Sequence, residues 1–577
     1  MSGNAGERQT RLFLYGEDSW RVSPRLSFNY GLRWEIYLPQ AVTGPGAGGW
    51  LELDSGQTPA DDQFLVAGQS GVNRMGDVKT TLLNFSPRIG MTYLVNPSTV
   101  IRAGYGRTFD PGYGGAIFGI AATQSPPVSV IATVQEPFTV NSNFSFPEIN
   151  VCQGGGNCNF SSFHFLSNTF SIQDLYNANN PNPFDFNFSS QLPQLADLYA
   201  LPRRLRLPTV DGWNLALQHA LNRNTYLEIS YVGNKGTHVL TDSGSQVPYY
   251  DLNQPTLKNF LTSSSSTQNC TFLTVADPYC RTTEVSRQAS QPWSAQVRYF
   301  GNDSSSHYDS LQLKVRRQFD SGFSLQANYT WSKLVDFANT YYAIDPKVAR
   351  GIGNFDRAHS FVMTNIWELP IGRGHHLLGD AGPVLDRLVR EWSLAAVTAA
   401  YSGLPFTPTY SSCADDIGFS PYSPCRPNIV GPAHITGRRQ QYFTTTGGQL
   451  LQASCLPLAD CIVPGKDDEG FDPSTGVPLL GQTIGPWQRP GAGQIGNAGR
   501  NPLRGPGFFQ VDLAVAKRIP ITERVAAQFR ADAFNVFNTV NLGNPNPSVD
   551  GPTGGQIFSL ANGATQRQLQ FSLRIEF

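Results

Sequence analysis

The chain has 577 residues, with 42 Lys and Arg against 43 Asp and Glu for a net charge of -1. That balance excludes a nucleic-acid binder, which needs a basic surface to displace counterions. Only 15% of residues are charged and 40% are hydrophobic; no apolar run reaches the ~18 residues of a membrane-crossing helix, the nearest, Leu394 to Tyr401, being too short.

The remaining composition (12% aromatic, 56 Gly, 41 Pro) suits an all-β chain with one wet face and long loops. Met1 to Gln9 carries neither a basic n-region nor an apolar h-region. No signal peptide is therefore expected in this chain, and an exported protein would be a fragment or begin upstream.

Arg11 to Ile36 reads as a hairpin turning at Ser23-Pro24. After the turn, Leu26, Phe28, Tyr30, Leu32, Trp34 and Ile36 alternate with polar residues, the period of two that splits a strand into two faces. A second hairpin, Leu82 to Phe109, turns at Asn96-Pro97-Ser98, and a third, Val210 to Asn234, at Asn222-Arg223-Asn224. The fourth, His307 to Lys333, turns at Asp320-Ser321-Gly322. The fifth, Ala358 to Ser402, has a longer connection holding Gly372, Gly374, His375 and His376, and the sixth, Phe508 to Phe537, turns near Pro520. The last strand, Leu569 to Phe577, is the most regular. Leu569, Phe571, Leu573, Ile575 and Phe577 are apolar, and Gln570, Ser572, Arg574 and Glu576 are polar.

Short turns alternate strictly with long stretches near 37–80, 110–207, 235–306, 333–357, 403–506 and 538–565. A transmembrane antiparallel β-barrel of outer-membrane type has this asymmetry, with short periplasmic turns and long extracellular loops. A soluble sandwich or propeller would not need one-sided loops. The terminal strand fits as well: a barrel's closing strand pairs, meets lipid on one face and water on the other, and serves as an assembly signal through Leu569, Phe571, Leu573, Ile575 and Phe577. The strands number about 13–14, and an odd count leaves first and last parallel, so the barrel is expected to be incomplete.

The segments YGEDSWRVSPRLSFNYGLRWE (15–35), SPRIGMTYLVNPSTVIRAGYGRTFD (86–110), YDSLQLKVRRQFDSGFSLQANYTWSK (308–333), DRAHSFVMTNIWELPIGRG (356–374) and FRADAFNVFNTVNLGNPN (529–546) resemble the barrel of TonB-dependent receptors, the Oar-like transporters most of all. The resemblance covers nearly all strands and fades in the loops. It implies a barrel of ~22 strands, of which residues 1–577 would be the C-terminal part. It also implies an N-terminal plug, a TonB-contacting segment and often a carboxypeptidase-regulatory-like sandwich, none visible here. The function it implies is outer-membrane transport, as uptake or export, of a bulky solute. The implied partners are outer-membrane lipid, the barrel assembly machinery, a TonB-type energy coupler reached through the missing N-terminal region, and an unidentified extracellular solute. Nucleic acid, cofactors and enzymatic activity are not implied. The alternative is a surface-exposed structural or adhesive barrel whose loops are the working part.

The eight cysteines fall in local pairs, Cys152/Cys158, Cys270/Cys280, Cys413/Cys425 and Cys455/Cys461, all in expected extracellular loops. Short-range pairs in an exported chain read as loop-stapling disulfides, nearest-neighbour pairing being the simplest of the open connectivities. A metal site is the rival reading, but no C-x-x-C spacing occurs and only His164 lies close. Gly491 to Gly496 matches G-x-G-x-x-G outside any strand–turn–helix unit and reads as a flexible loop. His375-His376 and the acidic Asp467, Asp468, Glu469 and Asp472 read as solvated. No catalytic motif is found. Trp20, Trp34, Tyr37, Tyr93, Trp213, Tyr231, Tyr329, Trp331, Trp367 and Trp392 are candidates for interfacial aromatic girdles. Arg33, Glu35, Arg102, Arg107, Glu228, Lys314, Arg316, Asp512, Arg530 and Asp532 are expected to face the lumen. A charge on the lipid face at mid-depth would cost ~2–4 kcal/mol.

Overall fold

The computed structural model describes residues 6–52, 63–110, 119, 122, 198–201, 204–239, 250–251, 297–299, 304–337, 349–375, 377–410, 426–443, 445, 483–488, 496–522, 524–549 and 553–577. The cysteine pairs, His376, the acidic run at 467–472 and all of the glycine motif except Gly496 lie outside these residues.

Thirteen long strands run through one 14-stranded sheet in strict chain order. They are β1 (Arg11–Ser23), β2 (Leu26–Tyr37), β3 (Asn84–Asn96), β4 (Thr99–Phe109), β5 (Thr209–Ala220), β6 (Thr225–Val239) and β7 (Ser304–Asp320). The rest are β8 (Phe323–Phe337), β9 (His359–Glu368), β10 (Trp392–Tyr401), β11 (Phe508–Pro520), β12 (Ala526–Phe534) and β13 (Gln568–Glu576). The fourteenth, Arg350–Ile352, pairs with the end of β8 and bridges to Arg500 through Gly351. Every neighbour pair is antiparallel. All six hairpins and the terminal strand stand where the alternation places them. Ser321 and Gly322 take positive φ (51° and 79°) in the β7–β8 turn, the left-handed backbone a tight reversal needs.

The register lines up alternate residues across the sheet. One face carries, in unbroken rows, Leu14, Trp34 and Phe85, then Ile101, Leu217, Ile229, Leu313 and Tyr329, then Leu394, Val515, Ala531 and Phe571. The other carries Arg33, Thr92, Arg102, Glu228, Lys314, Asn328, Asp512, Arg530 and Ser572. Among the described residues most of the apolar face is bare: Leu14 is 52% exposed, Leu215 53%, Trp331 57% and Phe571 66%. Apolar area on this scale is far beyond what a soluble surface leaves bare.

The long connections build two small cores at one end of the sheet. Residues 37–83 and 110–208 contribute Tyr37, Val42, Trp50, Ala67, Val78, Tyr199, Leu201 and Leu207 to the first. Residues 402–507 and 538–567 contribute Phe406, Tyr410, Tyr442, Phe443, Trp487, Leu503, Val549 and Ile557 to the second. Neither core is periodic in sequence. At the other end, the β9–β10 connection holds a helix that strand alternation does not foretell, α1 (Pro383–Val389). Pro383 suits the first helical turn, where its missing N–H is not needed, and Val384, Leu385 and Leu388 share one side.

Candidate functional site

The polar face and its long-loop rim hold the chemistry. Nine of the ten residues expected there are on it; Arg107 is not. Its register places it on the apolar face, beside Tyr105 and opposite Asp211. It is tolerated because it sits two residues from the end of β4, where its guanidinium bonds both Asp211 oxygens (2.8 and 3.1 Å) and Tyr105 donates to the same carboxylate (2.5 Å). A paired charge at a rim escapes the mid-depth cost. Nine of the ten girdle candidates are on the apolar face, with Trp20, Tyr93, Trp367 and Trp392 near the short turns, Trp34 and Trp213 near the long loops, and Tyr231, Tyr329 and Trp331 midway along their strands. Tyr37 is the exception. It faces the other way, packs in the first loop core and donates to Glu35.

Glu35 organises the rim over β2 and β3. Its buried carboxylate accepts from Tyr37 and from Ser86 Oγ (2.6 Å), while Arg33 stands 3.6 Å away, stacked on Phe13. Asn84 caps the Glu35 carbonyl (3.0 Å). A second network joins β8 to the loop before β11. Arg500 pairs with Asp336 and donates to Asn354 (3.1 Å); Asn501 bonds the Ile352 carbonyl (2.7 Å) and Asn354 (2.8 Å). Arg504 pairs with buried Asp356, which also takes the Leu334 N–H (2.5 Å). Gly403 lies against the Gly505 carbonyl, where any Cβ would collide.

Beside this network, Arg357 lies over the Tyr401 ring (5.5 Å), which in turn meets Phe508 (5.6 Å between centroids), both rings on the polar face. Arg357 donates to the Ser402 carbonyl (2.6 Å). Burial pulls its pKa down, and Arg504 nearby adds to the shift. The arrangement offers a half-buried guanidinium on an aromatic platform, suited to an anionic or π-rich group. Sequence reasoning missed it, because the three residues come from different strands and loops.

The polar face is interrupted at β9 to β11. Val362, Ile366, Ala395, Val397, Ala399 and Ala514 share it, with Ile366 48% and Val397 44% exposed. Of these strands, β10 is apolar on both sides from Leu394 to Val397, the pattern of a strand covered on both faces. Among the described residues no three His, Cys, Asp or Glu side chains cluster as a metal site, and His375 is exposed on the β9–β10 connection.

A family model described as an outer membrane β-barrel domain matches residues 1–570. No curated protein matches the chain. Among solved structures it is similar to the ferripyoverdine receptor of the outer membrane of Pseudomonas aeruginosa, at 10% identity over 99% of this chain and 39% of that one, TM-score 0.38. It is also similar to the siderophore receptor PirA from Acinetobacter baumannii, at 8% identity over 98% of this chain and 46% of that one, TM-score 0.39. For the ferric citrate transporter FecA the values are 8%, 99% and 45%, with a TM-score of 0.37. The chain spans less than half the length of these structures.

Proposed function

Because this chain belongs to the outer membrane β-barrel domain family, we propose that its two-faced sheet is part of the wall of an energy-coupled transporter for a bulky solute. The apolar face meets the hydrocarbon of the outer membrane, and the polar face lines the lumen. The observation that carries the reading is the apolar strip at Val362, Ile366 and Val397 on the lumen side, with Ile366 and Val397 exposed. An empty aqueous pore has no use for it, whereas a plug domain of the kind the family resemblance implies would cover it. β1 and β13 run in the same direction, so closing the antiparallel ladder takes an odd number of further strands. The ~22-strand barrel of plugged transporters meets that condition.

In this reading residues 1–577 form the C-terminal part of the barrel. A TonB-type coupler acts on the plug, the barrel assembly machinery reads the Leu569–Phe577 strand, and Arg357 with Tyr401 meets the solute at the rim. The test is a deletion strain, compared with its parent for growth on limiting chelated iron, oligosaccharides and peptides, with and without the energy coupler. Transport is supported if one nutrient is lost in both mutants. Unchanged growth on every nutrient, with loss of surface attachment, would favour an adhesive barrel. The eight cysteines staple the outer loops in four local pairs; unreduced peptide mapping should find Cys152–Cys158, Cys270–Cys280, Cys413–Cys425 and Cys455–Cys461 linked, and free thiols at these positions would refute it.

A further inference from the structure

Lys517 is a cation on the lipid-facing side of the wall. Its register neighbours are Trp392 and Phe529, in line with Leu394, Val515 and Leu573 on that face. It is nevertheless only 7% exposed. What covers it is the end of α1: Lys517 Nζ donates to the Leu388 carbonyl (2.9 Å) and the Arg390 carbonyl (3.0 Å), and lies 4.9 Å from the Trp392 ring. Trp392 Nε1 donates to the same Leu388 carbonyl (2.9 Å). The free carbonyls of a helix C-terminus are its negative end, so a buried ammonium is well placed there. These bonds dock α1 on the outside of the wall, at the periplasmic end.

The helix has two unlike sides. Asp386 is buried toward the protein, accepting from the Arg373 N–H (2.7 Å) and pairing with Arg390 (3.4 Å). Val384 (76%), Leu385 (45%) and Leu388 (63%) are exposed, as are Leu377 (56%) and Leu378 (52%) just before the helix. Of the other periplasmic turns, four present Pro24-Arg25, Pro97-Ser98, Asn222 to Asn224 and Ser321-Gly322, and the β11–β12 turn exposes a single aliphatic among its described residues, Ile521 (60%). Five large aliphatic side chains facing water would be costly. Here they continue the hydrocarbon-facing surface downward from Trp392 and Leu394, below the lower aromatic girdle.

We propose that Leu377, Leu378 and α1 form an interfacial anchor, seated in the phospholipid of the periplasmic leaflet, with exposed Arg387 at the level of the lipid phosphates. The anchor rests on the outer-membrane placement of the wall and is independent of transport. Continuity with the lipid-contacting wall identifies the occupant, and a short amphipathic helix lying in the headgroup region is a known physical solution.

The test is photo-crosslinking. The full chain, carrying p-benzoylphenylalanine at Val384, Leu388, Asp380 or Leu394, is reconstituted in phosphatidylethanolamine/phosphatidylglycerol vesicles. Adducts are identified by mass spectrometry. Positions 384 and 388 should yield phospholipid adducts as Leu394 does, at least about fivefold above Asp380. Adducts to a second copy, or a yield no higher than at Asp380, would overturn the anchor. In a Val384→Asp/Leu388→Asp chain, which keeps the Lys517 bonds to the backbone, lipid-dependent amide protection of residues 377–389 should vanish while that of β10 stays. Protection surviving in that variant would equally overturn it.

Discussion

Asp356 shows what holds the rim together at the scale of single residues. It is 2% exposed and carries a charge, which is tolerable only because Arg504 and the Leu334 N–H meet it. Arg504→Ala leaves a buried carboxylate without its cation, and should cost about 3 kcal/mol. Chemical unfolding of refolded protein in detergent would measure it; a loss under ~0.5 kcal/mol would mean the pair is in effect a surface pair. Asn535 plays a similar part. With φ at 49° and no exposure, it takes the Asp512 carboxylate through its N–H (2.8 Å) and holds the Thr539 and Thr565 carbonyls (3.0 and 2.8 Å). Glu7 is the reverse case, a half-buried carboxylate whose pKa burial raises. A raised carboxylate favours the fold below its unfolded pKa and costs stability as pH rises through the folded value. Glu7→Gln should therefore slow amide exchange at 41–43, which pair with residues 6–8, at pH 7–8, and leave it unchanged below about pH 4. Equal effects at both pH values would refute burial as the cause. The face of each residue was readable wherever alternation is strict. Arg107 and Tyr37 were misread because they sit at strand ends, where loops and local partners decide. The Arg500–Asp336 pair was invisible because it joins residues 164 apart.

Among the elements, β13 is the most legible and the most testable. Its apolar residues pair with Ala527, Phe529, Ala531 and Ala533, and the Phe571 ring stacks on Phe529 at 6.4 Å. Phe571→Arg puts a cation into hydrocarbon at ~2–4 kcal/mol, whereas Gln570→Arg adds one to the lumen. Heat-modifiable gel mobility of outer-membrane fractions should show the first variant failing to assemble and the second assembling normally. Equal assembly would remove lipid as the solvent of that face. Strands are readable here because a two-solvent wall forces a period of two on most of them. α1 and the loop cores are not, since they pack by tertiary contact: Trp50 and Trp487 are fully buried, yet their neighbours form no repeating pattern.

At the scale of the whole molecule, orientation follows from loop length. Cysteines placed at Ser23 and Ser321 should resist a membrane-impermeant maleimide in intact cells and react once the outer membrane is opened; labelling in intact cells would invert the topology. The fold was legible in sequence to its strand order, because each hairpin is local and no strand crosses another in the sheet. The Arg357 platform was not, since Arg357, Tyr401 and Phe508 meet only once β9, β10 and β11 are side by side.

The central claim is that one wall separates hydrocarbon from water residue by residue. Single nitroxide labels at each position from Leu325 to Trp331 of β8, in lipid vesicles, test it most directly. Odd positions should collide with oxygen dissolved in the bilayer, and even positions with a water-soluble nickel reagent, alternating along the strand. Seven labels with the same accessibility, or an alternation of opposite phase, would contradict the account.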